Sequence, residues 1–361
     1  MSAHEVLIAV MAVFAAVGAI DRIFGNRLGL GKSFEEGILA MGTLALAMIG
    51  IISLAPVLAK LLNPVVVPVY RFLGADPAMF AGTLLACDMG GASLAMEMSA
   101  DPEAALLGGV LCGSMLGATV VFTIPIAMSM LQPEDRPAMA KGILAGIVTV
   151  PVGVLVGGLV AGFPVGMVLR NLIPIVLIAG LIALGLWKAE KTIIKGFGFF
   201  GKGILALITV GLGAAIVEAL TGFTVIPGMA PVEEGFAVVG GIAIVLAGAF
   251  PLVNVITRVL RKPLMKLGNG LGINDAAAGG LIATLANSVA TFGMIKDMDR
   301  RGKVVNIAFA VSAAFVFGDH LGFTAGFAPE MLPAVIVGKL AGGISAVAIA
   351  LWMTKKDSPE Q

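Results

Sequence analysis

With 361 residues, 59% of them apolar, only 12% charged and a mean hydropathy of +1.05, the chain lies outside the range of soluble domains and inside that of proteins whose solvent is lipid. Its 23 basic and 22 acidic side chains leave a formal charge of +1, so no global field points to nucleic acid or an acidic partner. Two cysteines, Cys87 and Cys112, both in apolar stretches, give neither a disulfide framework nor a zinc cluster, and no cofactor is expected.

In chain order, the run from Val6 to Ile20 has no basic leader and no cleavage site before Asp21, and reads as a retained spanning helix. GLGKS, Gly29 to Ser33, resembles the end of a phosphate-binding loop. The first glycine of that motif would fall on Asn26 and no strand precedes it, so a nucleotide site is excluded. Glu35-Glu36 opens an apolar helix that ends near Ala55-Pro56, and Glu233-Glu234 opens a second that reaches Phe250-Pro251. GADPAMFAGTLLACDMGG (Gly74 to Gly91) pairs in the same way with GINDAAAGGLIATLANSV (Gly272 to Val289), and VLCGSMLGATVVFTIP with VNIAFAVSAAFVFGDH. Each half closes on a glycine-spaced helix, Gly153-xxx-Gly157 or Gly338-xxx-Gly342.

Five apolar elements per half result: roughly 4–21, 37–62, 78–97, 104–131 and 139–162, then 203–220, 235–260, 276–296, 303–327 and 331–353. The expected organisation is a first repeat over 1–162, a linking helix (about 168–187) and basic cytoplasmic loop within 163–202, a second repeat over 203–353, and a cytoplasmic tail over 354–361.

Lysine and arginine in the short loops set the orientation. Arg22, Arg27 and Lys32 follow the first element, whereas its counterpart loop, Thr221 to Glu234, has no base. Glu97, Asp101 and Glu103 follow the third element, whereas its counterpart has Lys296, Arg300, Arg301 and Lys303. Opposite signs predict an inverted repeat. The element at 276–296 has bases on both sides, Arg258, Arg261, Lys262 and Lys266 before it and Lys296 to Lys303 after it, so it enters and turns back. The predicted fold is an all-α polytopic membrane protein with an inverted-topology repeat, about nine transmembrane helices and two re-entrant hairpins (about 78–97 and 276–296), N-terminus outside and C-terminus inside, as Lys355-Lys356 require. Lys60, Arg71 and Arg170 break the charge rule.

An arm of about ten residues reaches about 15 Å, half of the roughly 30 Å hydrocarbon core, so each hairpin tip falls near the midplane. Asp88, with Cys87, Met89, Gly90 and Gly91, occupies one tip, and Asn287 with Ser288 the other. Broken helices meeting at the midplane of an inverted repeat are where secondary transporters hold their substrate. A carboxylate there is unfavourable by about 2.5 to 3.5 kcal/mol on insertion scales, which argues for a compensating cation or polar cavity. The structural alternative is that Asp88 caps the second arm.

Asp319 and His320 interrupt the element at 303–327, as Thr123-Ile124-Pro125 interrupts its counterpart; they bind substrate, relay protons, or only brace the break. Phe80, Phe122 and Phe317 could face a cation or simply pack. Asp21 and Glu218 read as interface residues, and the two Glu-Glu pairs as helix caps. The expected substrate site therefore comprises Asp88, Asn287, Asp319, His320, Met89, Gly90, Gly91, Ser288, Cys87 and Phe317, with no catalytic or metal residue.

The segments FEEGILAMGTLALAM, GADPAMFAGTLLACDMGG, KGILAGIVTVPVG, MDRRGKVVNIAFAVSAAFVFGDHLGF and VGKLAGG, spread over nearly the whole chain, resemble the EutH family of bacterial ethanolamine permeases. The resemblance implies uptake of ethanolamine, a small amine cation, across the inner membrane, and no catalytic residues. The chain departs from the family pattern in shorter connections near Gly162 to Met167 and Thr221 to Pro231, and in Ser288, where the family has a second amide.

The chemistry is compatible: Asp88 can hold an ammonium, and Asn287 or Ser288 a hydroxyl. Two alternatives stand beside this reading. One is a secondary transporter of another small organic cation or an ion-coupled polar solute. The other is an intramembrane enzyme using Asp319 and His320, which no HExxH, activated serine or metal cluster supports. The bilayer is the expected environment, and the glycine-rich helix faces suggest a homodimer.

Overall fold

The computed structural model describes residues 2–355; Lys356 and the rest of the expected tail lie outside them, as does the side chain of Arg261. Helix α1 (Ala3–Ile23) and the 43-residue α2 (Leu30–Phe72) lead to two short helices, α3 (Ala78–Leu84) and α4 (Gly91–Met98). Four long helices follow: α5 (Pro102–Met130), α6 (Pro133–Val160), α7 (Val165–Ala189) and α8 (Lys191–Thr221). The second half continues with α9 (Val232–Leu271), α10 (Asp275–Ala286), α11 (Ser288–Met294), α12 (Arg300–Ala313), α13 (Asp319–Phe327) and α14 (Leu332–Met353). No strand occurs among the described residues.

Eight helices are long and apolar enough to cross a bilayer, so the chain is a multi-pass, all-helical membrane protein. The segment expected as a ninth crossing, near 303–327, is divided into α12 and α13, with 14 and 9 residues on either side of a break, and is not among those eight.

Three expected boundaries move. Helices α2 and α9 run on past Pro56 and Pro251 instead of ending there, since a helix packed among others tolerates the lost hydrogen bond. The stop comes where backbone handedness changes, at Gly74 (φ 71°) and at the equivalent Gly272 (φ 66°). The expected loop from Lys188 to Lys202 is helical, the chain turning at Ala189 (φ −143°, ψ 44°). The expected break at Thr123-Ile124-Pro125 is absent: α5 keeps helical dihedrals there, and its winding changes from π (Leu106–Gly117, Thr119–Thr123) to α at Ile124. Pro125 sits in the first turn of that α segment, where its missing N–H costs nothing.

Helices at corresponding places in the two halves meet head to tail through glycines. A Cβ on Gly37 of α2 would lie 2.5 Å from the backbone of Ala247 in α9, and one on the equivalent Gly235 of α9 would lie 2.9 Å from Ile49 in α2. Gly50 presses in the same way on the backbone of Ile208 in α8, and its equivalent Gly248 on Met11 in α1. Gly153 and Gly338 cross reciprocally, each with its absent Cβ 2.8 Å from the other's carbonyl oxygen. The glycine faces of α6 and α14 are therefore used inside the chain, and no longer argue for a homodimer.

The two short-helix pairs return to where they start. Asp76, before α3, and Asp101, after α4, line one cavity of about 830 Å³. At the other pair, the Asn274 N–H donates to Asp299 Oδ1 at 2.8 Å and its side-chain amide to the Asp297 carbonyl at 3.0 Å.

The glycine contacts make a direct prediction. Gly50→Ala places a methyl 2.0 Å from the Ile208 carbonyl oxygen and should destabilise the protein by about 1 to 3 kcal/mol, lowering its thermal midpoint in detergent. Gly42→Ala, with open space around it, should be neutral or stabilise by up to about 1 kcal/mol. Equal midpoints for the two variants would contradict this packing.

Candidate functional site

The turn that carries Asp88 is shaped by its neighbours. Leu85 and Ala86 are extended, Cys87–Met89 form a single 3₁₀ turn, and Gly90 (φ 89°) reverses the chain into α4. A Cβ on Gly90 would lie 2.2 Å from Ile51, so only glycine fits, and the Gly91 N–H is taken by the Ala86 carbonyl at 2.9 Å. Both glycines are buried in packing and neither lines the cavity beside Asp88, contrary to their expected place in the substrate site. The N-cap of α4 is Gly90, with no side-chain bond, so the Asp88 carboxylate is not used as a cap.

The second break is held from outside. Phe315 adopts φ 61°, a left-handed conformation that raises a non-glycine residue by about 1 to 3 kcal/mol. It persists because the last carbonyls of α10 need donors: Thr284 O accepts from Phe315 N–H at 3.1 Å and Leu285 O from Phe317 N–H at 2.8 Å. Gly318 lets the two interrupted segments touch, since a Cβ there would meet Ala286 O at 2.1 Å. His320 then falls in the first turn of α13, 3% exposed, its ring 5.3 Å from that of Phe315.

These two breaks meet at a line of three ionisable groups. His320 Nε2 stands 3.8 Å from Asp88 Oδ1, and His320 Nδ1 is 3.1 Å from Nζ of Lys339, which also donates to the Ser114 carbonyl. Lys339, in the middle of α14, is 0% exposed. It is absent from the expected site although the signal was there: a lysine flanked by apolar residues and glycines inside a spanning segment is as anomalous as Asp88.

A cavity of about 180 Å³ opens beside this line, walled by Asp88, Met89, Phe122, Phe315, Asp319 and His320. A second, of about 430 Å³, is lined by Glu36, Asn254, Arg258, Asn287, Phe317 and Asp319. Asp319 lines both. The expected site is thus divided: Asp88, Met89, Asp319 and His320 come together, whereas Asn287 and Phe317 lie beyond Asp319. Ser288 is buried, its hydroxyl without a hydrogen-bond partner, and Asn287 caps α11 by accepting the Val289 N–H at 2.8 Å. Cys87, in the same turn as Asp88, is buried. Of the other aromatics, Phe122 reaches the smaller cavity, while Phe80 packs edge-on against Tyr70.

Several acids have other duties. Asp21, expected at an interface, accepts the N–H groups of Leu28, Leu30 and Gly31, each at 2.9 Å, and caps α2. Since α2 begins at Leu30, Glu35 and Glu36 lie one turn inside it, paired with Arg22 and Lys32, and are not its cap. Glu233 and Glu234 do occupy the first turn of α9. Glu218 is half-buried and accepts from the Thr224 hydroxyl at 2.8 Å.

Cys87, Asp88 and His320 present ligand atoms within 4.8 Å of one another, a spacing a metal ion could use. The arrangement does not fit one. The far ring nitrogen of His320 faces the Lys339 amine at 3.1 Å, where a metal-bound histidine has a carboxylate, carbonyl or water as acceptor.

The family described as "Ethanolamine utilisation protein, EutH" matches residues 3–353. The chain is 59% identical over 356 residues to "Probable ethanolamine permease EutH" of Listeria monocytogenes, covering 99% of this chain and 95% of that protein. It is 47% identical to proteins of the same name from Salmonella typhimurium, over 100% of this chain and 98% of the relative, and from Escherichia coli K12, over 99% and 97%. No solved structure matches. Coverage of this extent, by relatives far above 30% identity, establishes that the chain belongs to the EutH family.

Proposed function

We propose that this protein is an ethanolamine permease of the bacterial inner membrane, in which the substrate's ammonium group binds at Asp88. The observation that carries the reading is the charge inventory around the smaller cavity. Two carboxylates, Asp88 and Asp319, line it, and one lysine, Lys339, stands behind it to offset one of them. With the imidazole neutral, the inventory leaves one negative charge for a substrate cation to answer, in an interior where an uncompensated carboxylate is disfavoured by about 2.5 to 3.5 kcal/mol. The cavity has room for ethanolamine's few heavy atoms, and Phe122 and Phe315 give its methylenes an apolar wall.

In this reading the two cavities are successive stations on one path, with Asp319 between them. Asn287 then serves the second station, and does not grip the hydroxyl while Asp88 holds the ammonium. The breaks belong to an inverted repeat of residues 1–162 and 203–353, for which the head-to-tail glycine contacts are the support. The pairs α3–α4 and α10–α11 are its re-entrant hairpins: arms of 7, 8, 12 and 7 residues are too short to span, and the ends of each pair lie close together. The loop charges support a reading with the N-terminus outside and the C-terminus inside. Arg71 and Arg170, which break that rule, line the same wide cavity as Asp76 and Asp101, which gives both bases acidic company.

In cells expressing the protein, Asp88→Asn should reduce uptake of labelled ethanolamine at least about tenfold, the loss of about 1.4 kcal/mol or more of charge pairing, with membrane abundance unchanged. Uptake at the wild-type rate would remove Asp88 from the path.

For the hairpins, cysteines introduced as Asp76→Cys and Asp101→Cys should react with an impermeant thiol reagent from the same side of the membrane; the native Cys87 and Cys112 are buried and give little background. Labelling from opposite sides would make residues 78–97 a full crossing.

A further inference from the structure

The line Asp88, His320, Lys339 is open at one end and closed at the other. Asp88 faces the cavity, with 16% of its side chain exposed, whereas Lys339 is sealed. Behind Lys339 are the Ser114 carbonyl, which accepts a hydrogen bond and cannot take up the proton, and the segment VPVGVLVGGLV (150–160), which has no ionisable group. The stretch of α5 around Ser114 offers only the thiol of Cys112, and α12 presents Phe309 and Ser312 to this part of α14, its Arg300, Arg301 and Lys303 lying in its first turn. The other ionisable groups facing the line are Cys87 in the Asp88 turn and Asp319 beside His320. A proton that reaches Lys339 can therefore leave only the way it came, through His320.

We propose that Lys339 is a proton store for Asp88: it takes up the carboxyl proton through His320 when a cationic substrate binds, and returns it when the substrate leaves. This rests on the transport reading above and goes beyond it in saying how the empty and loaded sites stay charge-balanced. In the empty site Asp88 is a neutral acid, Lys339 a neutral amine, and the imidazole carries its proton on Nδ1, donating to Nζ. An arriving ammonium favours the carboxylate. The Asp88 O–H bond breaks as a bond to His320 Nε2 forms, and the Nδ1–H bond breaks as a third N–H forms on Lys339.

The imidazole stays neutral and only exchanges tautomers, which its two ring nitrogens and their two partners allow. The 3.8 Å gap between Nε2 and Asp88 closes by rotation of the carboxyl group or by one bridging water. Lys339 never touches the substrate; it is a positioning and charge-balancing residue. Binding of ethanolamine then releases no proton to solvent, and each molecule carried moves one positive charge.

The test counts protons. Ethanolamine binding to the purified full-length protein in lipid nanodiscs is followed by calorimetry in two buffers of different ionisation enthalpy, at about pH 6 to 7.5. The wild type should release close to none. Lys339→Met and Lys339→Gln, the second able to keep both hydrogen bonds without a basic nitrogen, should each release about one proton per ethanolamine bound, and their affinity should fall with decreasing pH, since proton and substrate now compete. Lys339→Arg, whose charge is permanent, should release none. Equal proton release by wild type and by whichever neutral variants fold would overturn the proposal, as would release by the wild type alone. Absence of any ethanolamine binding to the wild type would instead overturn the transport reading and this inference with it.

Discussion

A charge inside an apolar bundle has to be answered by another, and the connection of Asp88 to Lys339 through one imidazole is the interaction around which the site is arranged. Asp88, Asp319 and Lys339 left unanswered would together disfavour the fold by roughly 8 to 10 kcal/mol on insertion scales, comparable with the whole stability of a typical domain, about 5 to 15 kcal/mol. Pairing is therefore a condition of folding as well as of function. It also explains how an enclosed His320 can remain neutral: one ring nitrogen faces the Asp88 carboxyl and the other the Lys339 amine.

Bringing those groups together requires backbone to leave helical geometry inside the bundle, and that requires other backbone to satisfy it. The carbonyls at the end of α10 accept the N–H groups of the Phe315 turn, so each broken helix supplies what the other lacks. Glycine makes the approach close enough, at Gly318 against Ala286 and at Gly90 against Ile51. The strain at Phe315 sits beside His320 and the cavity wall, where a conformational change in the break would be felt first.

Much of this was legible from residue types. An aspartate followed by two glycines in an apolar run, and Gly-Asp-His-Leu-Gly in another, located both breaks, and the recurrence of Glu-Glu-Gly and of Gly74 as Gly272 located the corresponding helices. Asp88 and His320 were named together without any spacing rule linking them. What sequence could not say is which cavity each faces: Asn287 and Asp88 both sit at tips, yet only Asp319 touches both chambers. Prolines misled at Pro56, Pro251 and Pro125, since hydropathy and proline rules are calibrated on helices whose freed carbonyls meet water, and here neighbouring helices cover them. Lys339 was legible too, well inside the element expected at 331–353, but that element was read only for its glycine spacing.

The most direct measurement is a cryo-EM structure of the protein with ethanolamine bound in a lipid nanodisc. The account predicts density in the smaller cavity, its nitrogen about 2.7 to 3.0 Å from the Asp88 carboxylate and its carbons against Phe122. Ethanolamine held only in the wide cavity between Arg71 and Asp101, with the Asp88 chamber filled by side chains, would contradict it.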